Sequence, residues 1–203
     1  MEKDSTFEIR KFVAPEFIFG MDARLLVGKC VRNLGARKVL LASDPGVDNA
    51  GWSGEAAMSL EKEGIAVERF NAISPNPRDH EVAAGAEAYR ILGCDAIVAV
   101  GGGSVMDCAK GIGIVVSNGG SVLLYEGVDR VPVPMPPLVC IPTTGGTAAE
   151  VSQFAIITNT AEKVKIAIVS KALVPDLALI DPKTLVTMNP YLTACTGMDV
   201  LCH

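Results

Sequence analysis

The residues best suited to chemistry form a glycine-rich loop, Gly-Gly-Gly-Ser, at positions 101–104. The apolar run 96–100 precedes it and a segment with helical periodicity follows, so a buried strand is predicted to lead through the loop into a helix. Glycines let the backbone bend sharply and approach a ligand, and a helix N-terminus offers free N–H groups and a positive dipole end. A plain turn is the alternative, but it seldom needs three glycines. The loop therefore indicates an anion site, most often for phosphate.

The loop matches neither common phosphate-binding motif. Met106 occupies the third glycine position of the dinucleotide fingerprint, and no Gly-Lys-Ser/Thr follows as in a P-loop. Asp107, in the first turn of the predicted helix, either complements the helix dipole or contacts the ligand. These departures leave open which nucleotide the loop would bind.

Further polar residues follow other predicted strands. Asp44 comes after the buried run 38–42 and is either a turn or cap residue or an acceptor for the adenosine ribose hydroxyls. In the second role its charge would repel a 2′-phosphate and favour NAD over NADP. Thr143, Thr144 and Thr147 either cap their own loop or offer hydroxyls to a bound diphosphate or nicotinamide.

Asp199 and His203 are four residues apart near the end of the sequence. In a helix this spacing places both side chains on one face, where a carboxylate and an imidazole can share a divalent metal. For an isolated pair, a hydrogen bond on the surface is the alternative.

The elements that position these residues alternate between strand and helix from residue 38 to 141. That pattern predicts an α/β fold with a parallel sheet, whose ligands bind at the carboxyl ends of the strands. Asp44, Asn76, the 101–104 loop and Thr143 with Thr144 are therefore expected at one edge of the sheet.

Other segments carry local signals of their own. The runs 7–12 and 16–19 predict a terminal hairpin, and Asp22 is predicted to cap a helix over 23–34. The runs 154–158 and 164–169 predict a strand pair. A helix is predicted to begin near Tyr191 and to be still running at the last residue.

Composition limits the class of protein. Of 203 residues, 49% are hydrophobic and 5% aromatic, as in strands buried on both faces. The net charge of −5, without a basic cluster, excludes a nucleic-acid partner. No segment approaches the roughly 20 apolar residues of a membrane span. The charged start, Met1 to Asp4, is not followed by an apolar core, so a secretory signal is not expected. The six cysteines form no Cys-x-x-Cys pair and are interpreted as reduced core residues of a cytoplasmic protein.

Four motifs occur in a fixed order: GGGSVMDCAK at 101–110, IPTTGGTAAEV at 141–151, PDLALIDP at 175–182 and TGMDVLCH at 196–203. Together they resemble the iron-containing (group III) alcohol dehydrogenase family. A glycine loop alone would be shared with glycerol dehydrogenase and dehydroquinate synthase. The segment 143–151 and the Asp199/His203 pair favour the alcohol dehydrogenase branch.

The resemblance implies a Rossmann-like nucleotide-binding domain over residues 1–186 and, over 187–203, the start of an all-helical metal-binding domain, with the active site between them. It implies a cofactor site and an incomplete site for Fe2+ or Zn2+, whose two further histidines would lie beyond this chain. The metal ligands in this chain would be Asp199 and His203. The cofactor-binding residues implied are Asp44, Asn76, Gly102, Gly103, Ser104, Thr143, Thr144, Thr147 and Lys165.

The function expected from this resemblance is NAD- and metal-dependent hydride transfer between a small alcohol or aldehyde and the nicotinamide. The chain is expected to be the cofactor-binding half of a longer, homodimeric or larger enzyme and to be inactive alone. The alternatives are a non-catalytic nucleotide-binding module, an assembly domain that pairs through an edge strand within residues 5–20, and a relative of glycerol dehydrogenase or dehydroquinate synthase.

Overall fold

A six-stranded parallel sheet lies at the centre of the computed structural model, which describes residues 14–202. Its strands stand in the order β1-β9-β6-β4-β2-β3, and all neighbouring strands are parallel. A second sheet has the order β5-β8-β7. The strands are β1 (Glu16–Phe19), β2 (Lys38–Ala42), β3 (Ala66–Phe70), β4 (Ala96–Gly101), β5 (Gly127–Val128), β6 (Leu138–Pro142), β7 (Phe154–Asn159), β8 (Val164–Val169) and β9 (Leu177–Ile180). The predicted α/β class with a parallel sheet is confirmed.

Six α-helices accompany the strands within the described residues. They are α1 (Val27–Asn33), α2 (Pro45–Ala50), α3 (Trp52–Lys62), α4 (Asp79–Leu92), α5 (Gly103–Asn118) and α6 (Pro190–Cys202). None of these helices has both the length and the apolar composition needed to cross a membrane.

The central sheet is covered on both faces. Successive side chains of β2 point to opposite sides, so Leu41 packs with α1 and α3, whereas Leu40 packs with α4 and α5. Both leucines are fully buried. The second sheet joins the core through β7 and β8, whose Ile157 and Ile168 belong to the α4–α5 side. This double burial accounts for the aliphatic composition.

Several local predictions are corrected by tertiary contacts. Asp22 does not cap a helix over 23–34, because it adopts a left-handed conformation (φ 66°) and bonds Lys183 instead. A short 3-10 turn, Ala23–Leu26, therefore precedes α1. Strand β1 pairs in parallel with β9, a contact that was not predicted. The run 7–12, the proposed hairpin partner, lies outside the described residues.

The strand pair 154–158 and 164–169 forms as predicted, as the antiparallel β7 and β8, and it belongs to the second sheet. The cysteines are all free in the described chain, and Cys94, Cys108 and Cys140 are buried as expected. Cys195 and Cys202 are instead exposed on α6, which corrects their interpretation as core residues.

Candidate functional site

A cavity of about 810 Å³ opens where the central strands end. Its volume lies in the range of small-molecule and cofactor sites. All nine residues predicted to bind a cofactor line this cavity. They are Asp44, Asn76, Gly102, Gly103, Ser104, Thr143, Thr144, Thr147 and Lys165.

The glycine loop joins β4 to α5 at the floor of the cavity. Gly102 is extended and no side chain caps the helix, so the N-terminus of α5 presents its backbone to the cavity. A Cβ on Gly102 would lie 2.9 Å from Thr144 Oγ1, and one on Gly103 would lie 2.9 Å from Thr147 Oγ1. The two glycines are therefore needed for the close approach of the threonine loop, and together the loops form a cradle for an anion.

The threonine loop, residues 143–147, is held at both ends. The Thr143 N–H donates to the carbonyl oxygen of Gly101 at 2.9 Å, which continues the β4–β6 pairing into the loop. At the other end, a Cβ on Gly146 would lie 2.6 Å from Asp199 Oδ2. Helix α6 thus brings the predicted metal ligand Asp199 against the loop that lines the cavity.

Asp44 begins α2 as its N-cap. Its Oδ1 accepts hydrogen bonds from the Gly46 N–H at 2.8 Å and the Val47 N–H at 3.0 Å. Of the two readings of this residue, the capping one is present in the structure. The same carboxylate lines the cavity, so a second role toward a ligand is compatible with the cap.

A hydrogen-bonded bridge crosses the cavity from the second sheet to the glycine loop. Lys165 Nζ, on β8, donates to Asn76 Oδ1 at 2.7 Å, and the Asn76 N–H donates to Ser104 Oγ at 3.1 Å. Because Ser104 Oγ accepts this bond, its own hydrogen remains to be donated elsewhere. The bridge places an ammonium and a hydroxyl beside the N-terminus of α5.

Asp107 and Lys110 attach the same helix to β7. Asp107 lines the cavity and accepts a hydrogen bond from the Ile156 N–H at 3.2 Å. Burial raises the pKa of its carboxyl to about 6, against the lowering effects of the Lys110 charge and of that hydrogen bond. Lys110 is fully buried and donates to the carbonyl oxygens of Ser152 and Phe154, and burial lowers its pKa. Neither contact was predicted, because both depend on a strand distant in sequence.

The structure does not test the predicted metal ligands. Asp199 lies beside the cavity as described, whereas His203 lies outside the described residues. Within residues 14–202 there is no group of three or more His, Cys, Asp or Glu side chains placed to hold a metal ion. The assignment of Asp199 and His203 as ligands remains a prediction.

Sequence reasoning missed one wall of the cavity. Trp52, Thr187, Met188 and Leu192 line it, although no motif includes them. The indole Nε1 of Trp52 donates to Thr187 Oγ1 at 2.9 Å, which joins the start of α3 to the segment before α6. The only available signal was that Trp52 is the single tryptophan of the sequence.

The family described as iron-containing alcohol dehydrogenase matches residues 14–182. The chain is 39% identical to alcohol dehydrogenase 4 of Schizosaccharomyces pombe, covering 96% of this chain and 46% of that protein. It is 38% identical to the NAD-dependent methanol dehydrogenase of Bacillus methanolicus, covering 95% of this chain and 50% of that protein. A crystal structure of 1,3-propanediol oxidoreductase superposes with a TM-score of 0.92 at 39% identity, covering 95% of this chain and 50% of that one.

The chain thus spans about half the length of the relatives it matches. The family match extends over most of the described residues, including the central sheet and both loops of the cavity. We conclude that the chain belongs to the iron-containing alcohol dehydrogenase family.

Proposed function

We propose that this chain binds NAD and is the cofactor-binding half of an alcohol dehydrogenase that acts on a small alcohol or aldehyde. The observation that carries the proposal is the convergence of all nine predicted cofactor residues on one cavity, around the uncapped N-terminus of α5. The printed name of the Bacillus methanolicus relative includes NAD dependence, which supports the choice of cofactor.

The cradle fits a dinucleotide diphosphate. The N-terminus of α5 supplies backbone donors and a positive dipole end, and Gly102 and Gly103 keep the space free of Cβ atoms. Ser104 would donate its hydroxyl hydrogen to the diphosphate. The Lys165 ammonium donates to Asn76, whose N–H in turn donates to Ser104 in the glycine loop. In this arrangement the diphosphate lies over the loop and Asp44 accepts from the adenosine ribose.

The threonine loop is the proposed support of the nicotinamide half. Asp199 packs against Gly146, and together with His203 and ligands from outside this chain it would hold Fe2+ or Zn2+. A metal held there would supply Lewis-acid polarisation of the substrate oxygen, and a bound nicotinamide would supply the hydride acceptor. In this chain, the threonine loop would support the ring and Asp199 would hold the metal beside it. In an enzyme of the relatives' full length, His203→Ala is expected to remove most of the metal and leave NAD affinity largely intact.

A second proposal concerns assembly. Within the described residues no strand pairs with the outer edge of β1, where Phe17 and Phe19 are 62% and 70% exposed. Such an apolar edge favours pairing with a second copy of the chain, as in a symmetric homodimer. Light scattering coupled to size exclusion measures this directly, and a monomer at micromolar concentration would contradict it. The free cysteines favour a reducing compartment such as the cytoplasm.

Calorimetric titration of the 203-residue chain with NAD and NADP tests the cofactor proposal. NAD is expected to bind more tightly than NADP, because the Asp44 carboxylate repels a 2′-phosphate. Asp44→Ser is the informative variant, since serine preserves the helix cap while removing the charge. In this variant the difference in affinity between NAD and NADP should become smaller, while the melting temperature should stay the same.

Two results would contradict this reasoning. Absence of heat with either dinucleotide would remove the cofactor proposal. Tighter binding of NADP than NAD by the unmodified chain would remove the role given to Asp44.

A further inference from the structure

Trp52 occupies a position in the cavity wall that no motif accounts for. It begins α3, directly after α2, the helix that Asp44 caps. Asp44, Val47, Ala50 and Trp52 all line the cavity, so this wall runs continuously from the carboxylate to the indole. The indole is half-buried and packs in part against the core on the α1–α3 side of the sheet.

The indole is fixed by two contacts outside the core. The guanidinium of Arg24 lies 5.0 Å from the ring centroid. Arg24 is itself only 7% exposed and donates to Asp181 Oδ2 at 2.6 Å and to Glu55 Oε2 at 2.7 Å. The bond from Nε1 to Thr187 holds the edge of the ring. Because these partners are already in place, the ring loses little freedom on contact with a ligand.

The surroundings of Trp52 suit a flat, weakly polar group. Val47, Ala50, Met188 and Leu192 line the same cavity. A ribose held by Asp44 carries its base directly on C1′, so the base must lie within one bond of that sugar. Since Trp52 belongs to the Asp44 wall, the base that reaches it belongs to the nucleoside bound at Asp44.

We propose that Trp52 is the stacking wall for the adenine base of the dinucleotide; this inference rests on the proposed function and assigns the base within it. Electrostatics supports adenine over the other ring of NAD. The oxidised nicotinamide is a cation, and an indole already facing the Arg24 guanidinium is a poor partner for a second cation. The neutral purine has no such conflict. Asp199, the predicted metal ligand, packs against Gly146 in the threonine loop, where the reacting end of the dinucleotide is proposed.

The inference can be tested without any substitution, because the chain contains a single tryptophan. Excitation at the red edge of the absorption band selects Trp52 over the three tyrosines. AMP, ADP-ribose and NAD are expected to quench Trp52 fluorescence in a saturable manner, since each carries the adenine that stacks on the indole. Nicotinamide mononucleotide, which lacks adenine, is expected to leave it unchanged.

Variants then measure the contribution of the ring. Trp52→Ala is expected to weaken AMP and NAD binding by about tenfold, the range of one base–aromatic stack, and Trp52→Phe by about threefold or less. Tyr191→Ala is the matched control: Tyr191 is a neighbouring aromatic residue, 81% exposed on α6, and is not part of the cavity wall. It should bind both ligands as the unmodified chain does.

The outcomes separate this inference from the cofactor proposal. One outcome refutes the stacking wall and leaves the cofactor site standing. In it, calorimetry shows NAD binding, the adenine ligands do not quench Trp52 fluorescence, and Trp52→Phe and Trp52→Ala bind those ligands as tightly as the unmodified chain. Quenching by nicotinamide mononucleotide but not by AMP would also refute it. If no dinucleotide binds at all, both proposals fail. The quenching experiment on the unmodified chain decides the matter even if Trp52→Ala does not fold.

Discussion

Replacing Asp107 with asparagine tests the electrostatics at the base of the cavity. Burial raises the pKa of this carboxyl from 3.8 to about 6 in the folded chain. The folded state therefore binds the proton more tightly than the unfolded state, and wild-type stability must fall as the pH rises through this window. At about 1.4 kcal/mol per pKa unit, the charged carboxylate lowers the free energy of unfolding by up to about 3 kcal/mol above that window.

Asparagine keeps an oxygen that can accept from the Ile156 N–H but carries no charge. Asp107→Asn is therefore expected to be more stable than the unmodified chain by about 1 to 3 kcal/mol at about pH 8 and nearly equal to it at about pH 4. Urea unfolding followed by circular dichroism across this range measures the difference. A difference that does not change with pH, or a loss of stability at about pH 8, would refute the reasoning.

Asp48→Asn is the matched control with the opposite sign. Burial alone would raise the pKa of Asp48, but hydrogen bonds from Ser43, Ser53 and Asn71 outweigh it and lower the pKa. The charged form is thus favoured in the folded state, and its contribution is present above the unfolded pKa and lost on acidification. This variant should be less stable than the unmodified chain at neutral pH, and the difference should shrink in acid.

Three further variants test the packing around α3, the helix that carries Trp52 of the cavity wall. Gly28→Ala would place a Cβ in overlap with the Ser59 carbonyl oxygen, so it should lower the free energy of urea unfolding by about 3 kcal/mol. Gly54→Ala is the control, because its Cβ would enter open space on α3. It should raise the free energy of unfolding by up to about 1 kcal/mol. Asp181→Asn breaks a buried ion pair with Arg24 and should cost about 3 kcal/mol or more by the same assay, and an unchanged unfolding midpoint would contradict it.

Part of the cavity was predictable from sequence because several of its residues follow parallel strands. Asp44, the 101–104 loop and Thr143 each come directly after a run of buried aliphatic residues, and parallel strands bring their carboxyl ends to one edge. The glycines that follow β4 lack a Cβ, which lets the threonine loop approach the glycine loop closely. Such signals are local, so they can be read without knowledge of the tertiary contacts.

The remainder depends on contacts between distant segments. Asp22 precedes a helix, as a cap would, yet its bond to Lys183 favours a left-handed backbone instead. Trp52 and Leu192 meet at one cavity only because α3 and α6 both reach it. Strand β5, with two residues, carries no alternation that a sequence could reveal. In each case the deciding partner is far away along the chain.

The strand order has a consequence for synthesis. Strand β1 is translated first among the described elements, yet its neighbour β9 is the last of the described strands to be made. During most of elongation, the edge of β1 that pairs with β9 therefore lacks its partner and can pair prematurely with another nascent chain. The insertion of β9 between β1 and β6 completes the sheet. Chaperone demand on the nascent chain should therefore persist until residues 177–180 have left the exit tunnel.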